Sequence, residues 1–194
     1  MLIITGVGRC GTSALAGLFH RLGYPIGGGW DNKIQGGYEH EDLVEVNNKI
    51  LSGSNVSDEE ILSINVEFAK DPRFSQKRVL ERWLTVRQDL KFIVCYRREE
   101  HVVQGIRRHS EQFKEHAKLS DTEIMDNFKR QLQEFLSLCL RHDLEFRCLT
   151  FPNYIDQFDR TMDCVEQLSD YNTNRDKAKK VWDAWIDKNK VHYK

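Results

Sequence analysis

The sequence predicts an α/β fold in which a mostly parallel sheet is flanked by helices in three layers. Short apolar runs alternate with longer stretches of helical periodicity along the 194 residues, and this alternation is typical of βαβ units. The first apolar run also leads directly into a glycine-bracketed turn and an apolar helix pattern. A chain of this length buries a sizeable core in one unit, so we expect residues 1–194 to form a single domain.

Four apolar runs have the composition of buried parallel strands, and they lie at residues 2–5, 64–69, 91–96 and 144–150. The stretches with helical periodicity lie at residues 12–22, 40–51, 58–63, 74–86, 100–117, 121–142, 154–168 and 175–189. Ser120 and Glu123 predict a capping box at the start of the longest helix, because their side chains can satisfy its open amides. Residues 23–42 are the glycine-richest part of the chain, and so many glycines predict a flexible or ligand-contacting loop without helix or strand.

The composition argues against several classes of partner and site. With 29 basic and 30 acidic residues the formal charge is −1, so we expect neither nucleic acid nor an anionic membrane as a partner. Five widely spaced cysteines without a CxxC pair predict reduced buried thiols, no metal site and a cytoplasmic location. Residues 1–4 lack a basic leader and no later run has the length of a membrane span, so we expect neither a signal peptide nor a membrane anchor.

The turn after the first strand predicts an anion site. Residues 6–15 read GVGRCGTSAL, and a strand that ends at Gly6 with a helix that begins near Thr12 aims several backbone amides and the helix dipole at one point. Nucleotide-binding P-loops place a lysine before the hydroxyl residue to meet the phosphates. In this chain the basic residue is Arg9, inside the loop, and this difference weakens a kinase interpretation.

The motif resembles the loop with which sulfotransferases bind the 5′-phosphosulfate of 3′-phosphoadenosine 5′-phosphosulfate (PAPS). In that family a basic residue, a small residue, glycine, threonine and a second hydroxyl residue follow one another, and this order matches RCGTS at residues 9–13. The resemblance implies a P-loop-type domain that uses PAPS and releases 3′-phosphoadenosine 5′-phosphate (PAP). The cofactor-binding residues that it implies in the loop are Gly8, Arg9, Cys10, Gly11, Thr12 and Ser13.

Three later segments resemble the same family in the required order, at residues 36–51, 68–75 and 91–110. The last is similar to the strand, loop and helix that bind the 3′-phosphate, and it implies roles for Arg97 and Gly105. The family usually has Asp-Pro after the arginine and a serine eight positions after it, whereas this chain has Arg-Glu and Gly105. A backbone amide and Arg97 can still meet a phosphate, and Arg107 or Arg108 can add a second charge; alternatively, these arginines form surface pairs with nearby glutamates.

Sulfuryl transfer needs a base for the acceptor's proton and positive groups where charge grows on the leaving oxygen. Arg9 suits the second task. Glu39 aligns with the family's glutamate and is the favoured base, with the adjacent His40 as the other candidate. Lys70 and Arg73 follow the second predicted strand, where they either neutralise a bound anion or form a structural salt bridge around an aspartate.

The sequence therefore predicts a PAPS-dependent sulfotransferase that acts on a hydroxyl or amine of a small-molecule or carbohydrate acceptor. Two other functions stay open: a small-molecule or nucleotide kinase with Asp71 as the Mg²⁺ ligand, and a non-catalytic anion-binding protein. Trp182 and Trp185 near the C-terminus cover the sheet, join a partner subunit or line an acceptor pocket, and core packing is the simplest of these roles. No pattern predicts the acceptor or an oligomeric state.

Overall fold

The computed structural model describes residues 1–31, 36–111, 113–169 and 173–186. The strands of this part of the chain are β1 (Leu2–Thr5), β2 (Trp30–Asp31), β3 (Gly36–Gly37), β4 (Phe68–Lys70), β5 (Lys91–Arg97) and β6 (Phe146–Phe151). Strands β4, β1, β5 and β6 lie side by side in that order, and every pair between them is parallel. The predicted parallel sheet is confirmed.

The helices are α1 (Thr12–Arg21), α2 (Glu41–Ser52), α3 (Asp58–Ser63), α4 (Lys77–Leu84), α5 (Glu99–Arg108), α6 (Lys114–Ala117), α7 (Asp121–Arg141), α8 (Asn153–Asp156), α9 (Phe158–Leu168) and α10 (Arg175–Trp185). They cover both faces of the sheet. Alternate strand residues point to opposite faces, so Ile4 and Ile93 pack with apolar residues of α1, α9 and α10. Ile3 and Phe92 pack with apolar residues of α2, α4 and α7 on the other face. The three-layer architecture is confirmed.

The second strand differs from its prediction at 64–69, because β4 begins only at Phe68. Ile64 ends α3 as its C-cap, and its carbonyl accepts a hydrogen bond from Nη1 of Arg87. Ile64 and Val66 are buried in the core outside any strand. Apolar character was therefore a sign of burial here rather than of strand pairing.

Three predicted helices are interrupted. Residues 74–86 divide into a 3₁₀ turn at Pro72–Ser75 and helix α4, because Asp71 caps the turn and proline occupies its first position. The 100–117 prediction divides into α5 and α6, and the 154–168 prediction divides at Gln157 into α8 and α9. At the break between α8 and α9, the Thr161 hydroxyl lies within hydrogen-bond distance of the carbonyls of Tyr154 and Gln157, to which it donates. Part of the 175–189 prediction, at 187–189, lies outside the described residues.

Several local predictions are confirmed. Ser120 and Glu123 form the capping box of α7. Trp182 is buried at 2% exposure. Trp185 is partly buried against the same core, and its Nε1 donates to the carbonyl of Ala14 at 2.9 Å. Both tryptophans therefore have the predicted role in core packing. All five cysteines are free thiols; Cys10, Cys95 and Cys139 are buried as predicted, whereas Cys164 is half-buried and Cys148 is exposed.

The glycine-rich segment 23–42 contains more structure than predicted. Strands β2 and β3 form a short antiparallel pair, so the prediction that this segment holds no strand was wrong. Glycine accepts extended conformations as readily as turns, and this pair needs only two residues on each side. Residues 32–35 of the segment lie outside the described part of the chain. Among the described helices, none combines the length and apolar character that a membrane crossing requires.

The strand order places the predicted anion site at a reversal of the winding. From β1 the chain continues to β4 on one side and then to β5 on the other side. Loops diverge at the carboxyl ends of two such adjacent strands and leave a crevice, where ligands bind in open α/β sheets. The strand order therefore places the expected crevice between the ends of β1 and β5, next to the loop at residues 6–11, which we call the β1–α1 loop.

Candidate functional site

The β1–α1 loop has the backbone geometry of an anion site. Arg9 and Gly11 adopt left-handed conformations, with φ angles of 67° and 87°. Gly11 is the N-cap of α1, where no side chain accepts a hydrogen bond from the first turn, and that turn holds no acidic residue. Amides at such a helix start are open donors with positive potential, so the loop presents a local attraction for an anion.

The end of β6 holds this loop in place. The Oη of Tyr154 donates to the carbonyl of Gly11 at 2.6 Å, and the Phe151 ring lies so close that a Cβ added at Gly11 would be 2.3 Å from it. Gly11 therefore satisfies both the left-handed turn and the close aromatic contact. No role at this loop was predicted from the sequence for Phe151 or Tyr154. Their position at the carboxyl end of the last parallel strand was the available signal.

The hydroxyl and thiol residues of the loop differ in access. Thr12 is buried and Ser13 is half-buried at the start of α1. Cys10 is 1% exposed and packs in the core, so its backbone amide is the group that it can offer a ligand. A helix terminus commonly lowers a thiol pKa, but burial raises the pKa of Cys10 to about 12 against the opposing effect of Arg97. The Cys10 thiol is therefore protonated at neutral pH.

Arginines gather beside the loop without compensating acids. Nη1 of Arg97 donates to the Arg9 carbonyl at 3.2 Å, and its guanidinium lies 5.0 Å from the Phe151 ring centre. Burial lowers the pKa of Arg9, and the charges of Arg97 and Arg108 lower it further. Burial also lowers the pKa of Arg97, and Arg108 adds to this effect. Within the described part of the chain, Arg9 and Arg97 form no ion pair, and the buried Nε of each has no hydrogen-bond partner.

Gly105 has a steric role that the sequence did not indicate. It is buried on α5, and a Cβ added there would lie 3.3 Å from Cβ and 3.5 Å from Cγ of Arg9. That separation is tighter than ordinary side-chain contacts. Because Gly105 has no side chain, the stem of Arg9 can pack against α5 at this position. A serine here, as the family usually has, would crowd the Arg9 side chain.

A second cluster of charges lies at the end of β4, beside β1. The Lys70 Nζ contacts one carboxylate oxygen of Glu39 at 2.5 Å, and Nη1 of Arg73 contacts the other at 2.9 Å. Burial favours a higher pKa for Glu39, but Lys70 and Arg73 outweigh it and hold this pKa below its ordinary value. Both cations are therefore ion-paired within the protein. Arg73 also contacts Asp71, as the predicted structural salt bridge requires, whereas Lys70 pairs with Glu39 instead.

Asp71 belongs to the same cluster and is 0% exposed. Its carboxylate accepts hydrogen bonds from Nδ2 of Asn47, and from the backbone amide and Nη1 of Arg73. Burial raises the pKa of Asp71, and Arg73 opposes that rise. These contacts occupy the one carboxylate that the kinase interpretation named as a Mg²⁺ ligand. Across the residues that the structure describes, no group of three His, Cys, Asp or Glu side chains could hold a metal ion.

The structure separates Glu39 from His40. Glu39 extends to Lys70 and Arg73, whereas His40 lines a surface cleft of about 470 Å³ beside the start of β4. The Nδ1 of His40 is buried and has no hydrogen-bond partner. Of the two candidate bases, Glu39 is the one in the charge cluster at the carboxyl edge of the sheet. The residues that line the cleft are Pro25, Gly27, His40, Asn65, Val66 and Glu67.

The site residues predicted from the sequence thus form two groups at one edge of the sheet. Arg9, Arg97 and Gly105 meet at the β1–α1 loop, while Glu39 lies with Lys70 at the end of the neighbouring strand β4.

A search of protein-family models found no match to the chain, and a search of curated proteins found none either.

Proposed function

We propose that the protein is a sulfotransferase that moves a sulfuryl group from PAPS to a hydroxyl or amine of a small-molecule or carbohydrate acceptor. The sequence resemblance and the uncompensated positive charge at the β1–α1 loop support this proposal.

The observation that carries the proposal is the pair of arginines with unpartnered buried groups. The Nε atoms of Arg9 and Arg97 are buried without a hydrogen-bond partner, beside a helix start that no side chain caps. Burying a cationic donor without a partner is unfavourable. A phosphate or sulfate group at this position supplies the missing acceptors, so the residues present fit the phosphosulfate of PAPS.

A sulfuryl donor suits this site better than a Mg²⁺-bound triphosphate. The lysine that meets the β- and γ-phosphates in P-loop kinases is absent. Asp71, the candidate metal ligand, has its oxygens occupied by Asn47 and Arg73. A sulfuryl group carries less charge than a γ-phosphoryl group, and arginine together with backbone amides is sufficient to stabilise it.

Each residue near the loop has a definable role. PAPS supplies the activated sulfuryl group when it is bound. Arg9 and the amides from Gly8 to Ser13 hold the phosphosulfate and stabilise the negative charge that grows on the leaving oxygen. Arg97, which already contacts the Arg9 backbone, faces the phosphates from the end of β5.

Glu39 is the proposed base. Its lowered pKa keeps the carboxylate ionised at neutral pH and also makes it a weak base. It therefore accepts the proton late, once bond formation to sulfur has made the acceptor hydroxyl strongly acidic. Lys70 and Arg73 orient the carboxylate by holding one oxygen each.

The same pairing favours a second candidate, a non-catalytic anion-binding protein. A carboxylate that holds two cations has a structural task that needs no reaction. In this alternative the loop and its arginines bind PAP or a similar anion, and Glu39 only neutralises Lys70, which is 3% exposed.

Calorimetric titration with PAP, and separately with ATP and Mg²⁺, tests these functions. The sulfotransferase predicts tight binding of PAP and weak binding of ATP with Mg²⁺. The reverse preference would support a kinase, and binding of neither ligand would refute both enzymes.

A second assay separates the enzyme from the anion-binding protein. Wild type and Glu39→Gln are incubated with ³⁵S-labelled PAPS and a panel of hydroxyl and amine acceptors. The proposal predicts transfer by wild type and a loss of about 100-fold or more in the variant, as is usual for a general base, with PAP affinity retained. PAP binding without transfer to any acceptor would favour the non-catalytic alternative.

A further inference from the structure

A buried asparagine on α2 contacts the charge cluster at the end of β4. Asn47 is 0% exposed. Its Oδ1 accepts a hydrogen bond from Nε1 of Trp83 at 2.7 Å, and its Nδ2 donates to Oδ2 of Asp71 at 2.8 Å. An indole Nε1 can only donate, so Trp83 fixes the amide of Asn47 with its nitrogen toward Asp71.

The hydrogen bonds continue from Asp71 to Glu39 through one guanidinium. Oδ1 of Asp71 accepts from the backbone amide and from Nη1 of Arg73, at 2.8 and 3.0 Å. The same Nη1 donates to Oε2 of Glu39 at 2.9 Å, and Nε of Arg73 donates to Oδ1 of Asn48 at 2.8 Å. Three acceptor side chains thus hold this planar group in one orientation. We call this series of bonds the Asn47 network, and its members are Trp83, Asn47, Asp71, Arg73 and Glu39.

The Asn47 network closes a ring with α2. Asn47 lies within α2, and Glu39 is separated from the start of that helix only by the N-cap residue His40. Glu39 also follows Tyr38, whose left-handed φ of 64° is uncommon for an aromatic residue. The local backbone therefore does not favour this placement of Glu39 by itself, and contacts to the turn after β4 maintain it.

The two carboxylate oxygens of Glu39 are held in different ways. Lys70, which holds Oε1, belongs to β4, so the sheet places it. Arg73 holds Oε2 from the turn after that strand, and its own position depends on the acceptors described above. Asn47 supports this arrangement without adding a charge, so the two cations and two carboxylates of the cluster stay balanced. Unbalanced buried charge is unfavourable, and a neutral donor avoids it.

We propose that Asn47 is a positioning residue for the proposed base. Through the Asn47 network it holds the Glu39 carboxylate in the orientation that takes the acceptor's proton. The inference rests on the proposed function for the task of Glu39, whereas the placement of Glu39 can be measured without any reaction. A general base acts only within hydrogen-bond reach of its proton, and a displacement of about 1 Å can cost about 100-fold in rate.

The first test is an NMR titration of the Glu39 carboxyl carbon, assigned by comparison with Glu39→Gln. Asn47→Ala removes both hydrogen bonds of the amide and leaves the charges of the cluster unchanged. Burial favours a higher pKa for Glu39, while Lys70 and Arg73 hold this pKa below its ordinary value. A less firmly held Arg73 should therefore raise the pKa of Glu39 toward its ordinary value. Val46→Ala, a truncation of the neighbouring buried residue, is the control and should leave the pKa of Glu39 unchanged.

The ³⁵S transfer assay gives the second measurement. Asn47→Ala should lower the transfer rate at saturating PAPS about 10-fold, as is common when the residues that orient a site residue are replaced. PAP affinity by calorimetry should stay within about 2-fold of wild type, because the Asn47 network does not contact the β1–α1 loop. Val46→Ala should change neither quantity.

A double variant separates the hydrogen bonds from the charge at position 71. In Asn47→Asp/Asp71→Asn, the new carboxylate can accept from Trp83 and from the new amide, whose oxygen can still accept from Arg73. Each bond of the network then has a donor and an acceptor, so the transfer rate should recover to within about 3-fold of wild type. A rate as low as that of Asn47→Ala would overturn the proposal that these bonds position the base.

The two measurements separate this inference from the proposed function. An unchanged pKa of Glu39 in Asn47→Ala, or a transfer rate no lower than that of Val46→Ala, would overturn the positioning role, while transfer by wild type would still support the function. A raised pKa without transfer by wild type to any acceptor would support the placement of Glu39 by Asn47 and refute the enzyme. Trp83→Phe, which removes the Nε1 donor and keeps an aromatic ring, repeats the comparison if melting curves show that Asn47→Ala is unfolded.

Discussion

Replacing Arg9 with methionine should make the protein more stable while it removes anion binding. Methionine keeps a stem that packs beside Gly105, where Cβ and Cγ of Arg9 now lie. It removes a cation that faces Arg97 and Arg108 and a buried Nε without a partner. Residues in binding sites are commonly unfavourable for folding because they are arranged for a ligand.

The size of the effect follows from the unpartnered group. A buried polar atom without a hydrogen bond costs about 1–3 kcal/mol, and the left-handed backbone at Arg9 is equally strained with either side chain. We therefore expect the free energy of unfolding to rise by about 1–2 kcal/mol in Arg9→Met. For a chain of this size, that corresponds to a Tm increase of about 2–8 °C.

The assay combines urea unfolding, thermal melting and calorimetry with PAP, in a buffer free of phosphate and sulfate. PAP affinity should fall by more than about 100-fold, since charge-assisted bonds to the phosphosulfate site are lost. Arg107→Met is the matched control: that arginine bonds to Asp121 and two carbonyls, so its loss should lower stability by about 1 kcal/mol. A drop of 1 kcal/mol or more in Arg9→Met would show that Arg9 is structural, and the reasoning would be refuted.

The remaining predictions concern packing and the second charge cluster. Glu39→Gln leaves the buried ammonium of Lys70 without its carboxylate. The free energy of unfolding of the variant should therefore be about 3 kcal/mol below that of wild type at pH 7. Because the folded pKa of Glu39 lies below its ordinary value of 4.5, this contribution is complete above pH 4.5 and disappears as the pH falls through the folded pKa. Urea titrations should thus show the gap to wild type closing in acid, and a gap independent of pH would contradict the pairing. Gly105→Leu should displace the loop arginine, whose Cβ would be 3.3 Å from the new Cβ, and lower PAP affinity about tenfold by calorimetry; unchanged affinity would mean that the arginine does not need this space. In Gly17→Leu the new Cβ would lie 2.6 Å from the Trp185 ring. Calorimetric melting should therefore show a free energy of unfolding about 2 kcal/mol below that of wild type, together with altered tryptophan fluorescence. Wild-type values for both would argue against this packing.

The core of the fold was predictable because its signals are local. Strand β1 and helix α3 begin and end where the sequence predicts, and the Ser120–Glu123 capping box stands where polar residues precede an apolar helix. Boundaries failed where apolar residues pack without strand pairing, as at Ile64 and Val66. They also failed where a turn interrupts an otherwise helical pattern, as at Gln157, because tertiary contacts decide such breaks.

The site was predictable only in part, because some of its features are local in sequence and others depend on tertiary contacts. The sequence alone determined the glycine-bracketed turn with Arg9 and open amides, because strand, loop and helix follow one another directly along the chain. Tertiary structure decided which charges remain unmatched: Glu39 lies against Lys70 across 31 positions, Arg97 contacts the Arg9 backbone across 88, and Gly105 gives its space to Arg9. Charge compensation depends on distances between residues far apart in sequence. The chain therefore specifies the β1–α1 loop locally, and only folding separates the arginines beside this loop from those that are ion-paired elsewhere.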